Sequence, residues 1–187
     1  MVESAAANPW VFDVGDQDFE AKVIERSRTV PVVVDLWAPW CGPCRTLGPL
    51  LERLATEHEG AFVLAKVNVD EAQGLAQAFK AQSIPMVVGI RDGALVAHFV
   101  GAQPEPEVRN FLARLLPSEG ERLAVEAAAL RAAGQTVQAE AGFRSALELE
   151  PRAEPALIGL AEILAERGEN DEALALLERV DPGAHRA

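Results

Sequence analysis

The residues best suited to chemistry are Cys41 and Cys44, the only two cysteines among 187 residues. They stand in the segment Trp37-Ala38-Pro39-Trp40-Cys41-Gly42-Pro43-Cys44-Arg45. Two intervening residues allow a small disulfide ring to close and reopen. The segment follows an apolar, strand-like run and opens a helical pattern. A helix N-terminus carries unpaired amides and partial positive charge, which favours a thiolate at Cys41, and the thiolate is the attacking species in disulfide exchange. Cys44 is expected one turn on and less exposed, where it can resolve a mixed disulfide. Pro43 suits the first helical turn. A zinc half-site is the competing chemistry, but zinc normally takes four ligands. Only His58, His98 and His185 remain as partners, all distant in sequence. A purely structural pair is the other alternative.

These cysteines must be positioned by the elements around them. Val30 to Trp37 and Ala61 to Val69 read as buried strands. Met86 to Ile90 and Leu95 to Val100 flank Arg91-Asp92-Gly93, and Asp-Gly between apolar runs predicts a hairpin. Helical patterns fall at about 16–28, 43–59, 71–81 and 105–116. This alternation predicts an α/β sheet with helices on both faces, parallel at its centre and antiparallel at its edge.

Composition limits the classes of function. The chain is 49% hydrophobic and 25% charged, with a net charge of −12. That balance is globular and acidic, so nucleic acid and anionic membranes are not expected partners. No apolar stretch is long enough to span a bilayer. Asp13, Asp16 and Asp18 interrupt the N-terminal region, so no signal peptide is expected and the cytosol is the expected compartment. In a reducing compartment a close cysteine pair reads as redox or metal chemistry rather than a staple.

The composition breaks near residue 117. Residues 1–117 hold 10 basic and 15 acidic side chains and all three tryptophans; residues 118–187 hold 7 basic and 14 acidic. The latter are rich in Ala, Leu and Glu, strong helix formers. Pro117-Ser118-Glu119-Gly120 reads as a turn or short linker. The expected organisation is a tail at 1–8, an α/β domain at 9–117 and a helical array at 118–187. Within that array Leu130, Gly134, Ala139 and Phe143 reappear 34 positions later as Leu164, Gly168, Ala173 and Leu177, the period of tetratricopeptide repeats. Ala139 and Ala173 are expected to let paired helices approach, with Phe143 and Leu177 filling the groove between them. Pro151 ends the first unit. The usual tryptophan of the pattern is absent, and a chance spacing in a plain pair of helical hairpins is the alternative. Two repeats are fewer than such arrays usually need, so the array is expected to pack on the first domain or to continue past residue 187.

Residues 9–117 resemble the thioredoxin family, which carries the same Trp-Cys-Gly-Pro-Cys segment after its central strand. The resemblance implies a thioredoxin fold: a central mixed sheet flanked by helices. It also implies that Cys41 is the nucleophile and Cys44 the resolving thiol. Asp35 matches the family's buried acid, which assists deprotonation of the resolving cysteine. Burial should raise its pKa towards neutrality, as a proton shuttle requires. A carboxylate merely paired with Lys66 is the alternative; both can hold, because Lys66 matches the lysine neighbouring this acid. Ile84-Pro85 matches the loop with a cis proline that faces the disulfide and pairs with an extended client. Gly93 matches the hairpin glycine, Gly101-Ala102 the loop beside the active site, and Pro49 the proline that kinks the active-site helix.

The client-facing residues are thus expected to be Trp40, Gly42, Pro43, Ile84, Pro85, Met86, Gly101 and Ala102, with Trp37 as support and Trp10 as filler. Met86 stands where thioredoxins usually carry threonine. Either it makes the groove accept varied apolar segments, or it packs inward and says nothing about clients.

A thioredoxin domain followed by tetratricopeptide-like helices resembles the bacterial chaperedoxin family. That resemblance implies a protein-disulfide reductase coupled to holding of unfolded clients and transfer to chaperonin or other chaperone machinery. Some members have lost the cysteine pair, which this chain keeps. Implied partners are proteins with reactive or oxidised cysteines and a reductant such as thioredoxin reductase or glutathione. No cofactor is expected beyond the redox-active disulfide, and no metal. The alternative is a holdase, co-chaperone or scaffold in which redox chemistry is secondary.

Overall fold

A computed structural model describes residues 8–180. The chain divides at Leu116/Pro117 into two compact units. The first contains strands β1 (Val11–Asp13), β2 (Val32–Trp37), β3 (Val63–Asn68), β4 (Met86–Arg91) and β5 (Ala94–Val100), with helices α1 (Cys44–Glu57), α2 (Gln73–Ala78) and α3 (Glu105–Leu115). The sheet order is β1-β3-β2-β4-β5. β2 runs parallel to β3 and antiparallel to β4, so the central strand joins a parallel half to an antiparallel half. The expected parallel centre with an antiparallel edge is corrected accordingly: antiparallel pairing begins at β2 itself.

The alternation of strand side chains decides what lies beneath α1. Val32, Val34 and Leu36 point to one face, where they meet Phe19, Val23 and Leu75. Val33 points to the other and packs with Leu47 and Leu51 of α1 and Phe111 of α3. Asp35 has the same parity as Val33, so its carboxyl is committed to the α1 side of the sheet. Register places Asp35 opposite Lys66 on β3.

Boundaries differ from the sequence expectation where local contacts override periodicity. β1 was not anticipated; its three residues carry too little pattern, and it is held by parallel pairing with Val11 opposite Leu64. The 16–28 pattern becomes a π-helical turn at Glu20–Glu25 and a 3₁₀ turn at Arg26–Arg28. α2 is shorter than 71–81 because the Asp16 carboxylate accepts the Gly74 and Leu75 N–H groups at 3.1 and 2.8 Å, and Lys80 has φ +53°. The Asp92-Gly93 hairpin forms, both residues having positive φ as a tight two-residue turn demands.

The second unit is an array of four helices: α4 (Glu119–Ala132), α5 (Thr136–Leu149), α6 (Glu154–Glu166) and α7 (Asn170–Leu177). Ser118 is an N-cap rather than part of a linker. Its side chain accepts the Glu121 N–H at 3.0 Å and Glu121 returns a bond to the Ser118 N–H, so Glu119 and Gly120 are already helical. Ala139, Phe143 and Ala173 are buried as expected. Leu177 is not: it is 44% exposed, and Leu176 lies in the core instead. The buried stripe on α5 steps by four residues from Ala139 to Phe143, whereas on α7 it steps by three, from Ala173 to Leu176.

Gly159 sits inside α6, where glycine is ordinarily disfavoured. A Cβ there would lie 2.2 Å from the buried Phe143 ring. Gly159→Val is expected to destabilise this unit by about 3 kcal/mol through overpacking. Far-ultraviolet circular dichroism on heating should show early loss of helix; an unchanged melting curve would contradict this packing.

Candidate active site

Cys41 and Cys44 form a disulfide, with their Cα atoms 5.3 Å apart. The loop leaving β2 turns back as the Cys41 N–H donates to the Ala38 carbonyl at 3.1 Å. α1 then begins at Cys44, with Pro43 at the N-cap and no side-chain oxygen to receive the first amides. The Cys41 sulfur takes that place: the Cys44 N–H donates to it at 3.3 Å. Cys41 is thus held where an N-cap acceptor ordinarily sits, in the positive field of the helix end. The disulfide does not separate the two cysteines by exposure: Cys41 is 4% exposed and Cys44 6%, both packed in an apolar collar of Ala38, Trp37, Val69 and Ile84.

Trp40, Gly42 and Pro43 are exposed around the disulfide. The Trp40 ring is 68% exposed yet fixed, since its Nε1–H donates to both Asp70 carboxylate oxygens at 3.0 and 3.2 Å. Ile84-Pro85 is cis, and Ile84 packs against the cysteine cluster. The Pro85 carbonyl already accepts the Gly101 N–H at 2.8 Å, which ties the 84–85 loop to Gly101. Gly101 has φ +85° with open space where a Cβ would be, and Ala102 is exposed. Met86 resolves to the inward alternative. It is 9% exposed and belongs to the core with Leu36 and Val88, so its side chain does not line a client groove.

Beneath the disulfide, Asp35 is 2% exposed, and its Oδ1 has no hydrogen-bond partner. The pairing with Lys66 weighed from the sequence does not form. Lys66 Nζ instead bonds Glu52 Oε1 at 2.6 Å and sits 5.1 Å from the centre of the Trp37 ring. Asp35, Cys44, Glu52 and Lys66 together line a cavity of about 260 Å³, to which Gly48 and Pro49 also contribute. Burial raises the Asp35 pKa from 3.8 to about 6; the Lys66 charge pulls it down and the Glu52 charge pushes it up.

Two residues escaped the sequence reading: Asp70, which fixes Trp40, and Glu52, which holds Lys66. Glu52 had a legible signal. Cys44, Gly48 and Glu52 recur every four residues, hence along one stripe of α1. His58 packs on the Phe62 ring, and His98 lies exposed on β5. His185 lies outside the described residues. Among the described residues no group of three or more His, Cys, Asp or Glu side chains is placed to hold a metal ion, and no helix is long and apolar enough to cross a membrane.

A redox-capable cysteine pair at a helix start, a cis proline beside it and a mixed five-stranded sheet define a thiol–disulfide oxidoreductase. Residues 11–114 match the thioredoxin family profile, and the chain belongs to that family. Residues 130–186 match a tetratricopeptide repeat profile. The chain is 40% identical over 102 residues to a thioredoxin of Haemophilus influenzae, covering 54% of this chain and 94% of that one. It is 40% identical over 103 residues to a thioredoxin of Chlorobaculum thiosulfatiphilum, covering 55% and 90%. With the mitochondrial thioredoxin of Mus musculus it shares 40% over 106 residues, covering 56% and 63%. The helical unit is of a kind that fits partner binding.

Proposed function

We propose that the protein is a protein-disulfide reductase whose helical unit binds its clients or their handlers, in the manner of a chaperedoxin. The observation that carries this reading is the Cys41–Cys44 disulfide at the start of α1, above the buried Asp35 carboxyl, whose Oδ1 has no hydrogen-bond partner. In the reduced protein the Cys41 thiolate attacks one sulfur of a client disulfide. A mixed disulfide forms, and the other client sulfur leaves as a thiolate. Cys44 then gives its proton to the Asp35 carboxylate and attacks Cys41. The Cys41–Cys44 bond closes, and the second client sulfur leaves and takes the proton from Asp35; with a proton from solvent on the first leaving thiolate, the client has gained two electrons and two protons. Lys66 borders the proton-accepting cavity. Trp40, Gly42, Pro43, Ile84, Pro85, Gly101 and Ala102 form the rim the client meets. A thiol reductant, such as thioredoxin reductase or glutathione, returns the disulfide to the dithiol in a reducing compartment such as the cytosol.

The holding function is supported by exposed apolar side chains on the helical unit: Val125 on α4, Val137 and Leu149 on α5, and Leu174 on α7. The test is Cys44→Ser in the full chain. It should accumulate disulfide-linked clients on Cys41 that dithiothreitol releases, with unfolded proteins and chaperone components among them. An empty trap sinks the reductase reading. The holding arm fails separately if the full chain does not suppress light scattering by an aggregating client.

A further inference from the structure

The cavity beside Cys44 contains a charge arrangement that the two-residue picture of acid and lysine does not explain. Asp35 and Lys66 are cross-strand neighbours in register on adjacent parallel strands, β2 and β3. Neighbours of opposite charge in this position ordinarily pair. Here Lys66 points its ammonium at Glu52 on α1, at 2.6 Å, and over the Trp37 ring, at 5.1 Å. Asp35 Oδ1 is left buried without a partner. Gly48, one turn before Glu52, adds no side chain to the cavity and leaves nothing within 4 Å of where its Cβ would be. The space between α1 and the sheet therefore stays open, and Glu52 reaches across to Lys66.

We propose that Glu52 is a positioning residue of the exchange site: by anchoring Lys66 against the Trp37 ring, it keeps Asp35 out of an ion pair and free to exchange a proton with Cys44. This rests on the reductase reading given above. An ion-paired Asp35 would be a weak base and hold its proton poorly. Anchoring Lys66 preserves the proton affinity that burial confers. The charged and titratable groups facing Asp35 are Lys66 from β3, and Cys44, Arg45 and Glu52 from α1. From β4 the facing residue is Val87, which carries no charge. With Glu52 neutralised, Lys66 is released towards Asp35, and the repulsion between the two carboxylates also disappears. Both changes weaken proton binding at Asp35.

The test follows the Asp35 carboxyl by carbon-13 NMR in the oxidised full chain and records the pH profile of disulfide reduction in the same variants. Glu52→Gln should lower the protonated fraction of Asp35 at pH 6 about two- to threefold. The acidic limb of the reduction profile should move to lower pH in parallel, and Glu52→Asp should restore both. In a Lys66→Met background the effect of Glu52→Gln should shrink, because the anchored cation is gone. An unmoved Asp35 titration in Glu52→Gln overturns the proposal. So does a titration that moves while the reduction profile stays, or an effect undiminished without Lys66. Failure of the reductase reading shows differently, as full activity in Cys41→Ser.

Discussion

Asp35→Asn is expected to make the oxidised protein more stable at neutral pH while slowing its chemistry. The folded-state pKa of Asp35, about 6, lies above the unfolded value of 3.8, so the folded protein binds this proton more tightly. Below about pH 4 both states are protonated and the carboxyl carries no charge into the interior. As the pH rises towards 6 the unfolded chain ionises while the folded one resists, and stability falls. Above that range the loss is complete, at about 3 kcal/mol. Asparagine has the shape of the protonated acid and never ionises. Its extra buried N–H groups cost about 1 kcal/mol if unpaired, which leaves a net gain of about 2 kcal/mol. The melting temperature of the first unit should rise by about 10 °C at pH 7.5. The advantage should vanish below pH 4. A variant no more stable than the parent at pH 7.5 would mean that Asp35 is not held against ionisation. The same substitution removes the proton acceptor for Cys44, so disulfide reduction should slow about tenfold to a hundredfold. A group that costs stability and is retained at a reactive cysteine pair is the pattern expected of a site under functional demand.

What could be read in advance depended on how locally each feature is encoded. β2 to β5 announce themselves because their core is built from consecutive apolar, largely β-branched residues, and Asp92-Gly93 has little choice but a tight turn. The cysteine pair is contiguous, so its chemistry is written in one segment. β1 was invisible because three residues in a strand are specified by their neighbour β3 and not by their own period. Leu177 was misplaced for a related reason: a repeat of 34 aligns sequence positions, but a one-residue shift rotates a helical side chain by about 100°. Met86 was ambiguous because the first residue of a strand can face either way until its register is known; pairing opposite the buried Leu36 puts it with the inward set.

The ion pair beneath the cysteines shows the limit of local reading. Lys66 and Asp35 are 31 positions apart and can be expected to meet only once β2 and β3 are set in register. Which carboxylate the lysine then chooses is a matter of reach and burial. Glu52 is half exposed and reaches Lys66 from α1, whereas Asp35 is enclosed. The partly solvated carboxylate loses less hydration on pairing. The sequence alone contains all three residues but not this competition.

Cys41→Ser is expected to lower disulfide reduction by at least about a thousandfold, to the rate of the external reductant alone, because the reaction loses its nucleophile. A serine hydroxyl at neutral pH is un-ionised, and an S–O link to a client sulfur is no stable intermediate. The helix end that favours a thiolate at this position does so with a single directed amide, the Cys44 N–H at 3.3 Å from the sulfur, together with the field of α1. A hydroxyl holds its proton far more tightly than a thiol, so the same amide and helix end do not make it a nucleophile. Cys44→Ser should behave differently. Its Cys41 still attacks, so one client is captured per chain and turnover stops at the mixed disulfide. The two variants therefore separate attack from resolution: no capture in the first, capture without release in the second. Equal capture by both would mean that Cys44, the one cysteine left in Cys41→Ser, attacks as readily as Cys41, and the division into attacking and resolving thiol would fail.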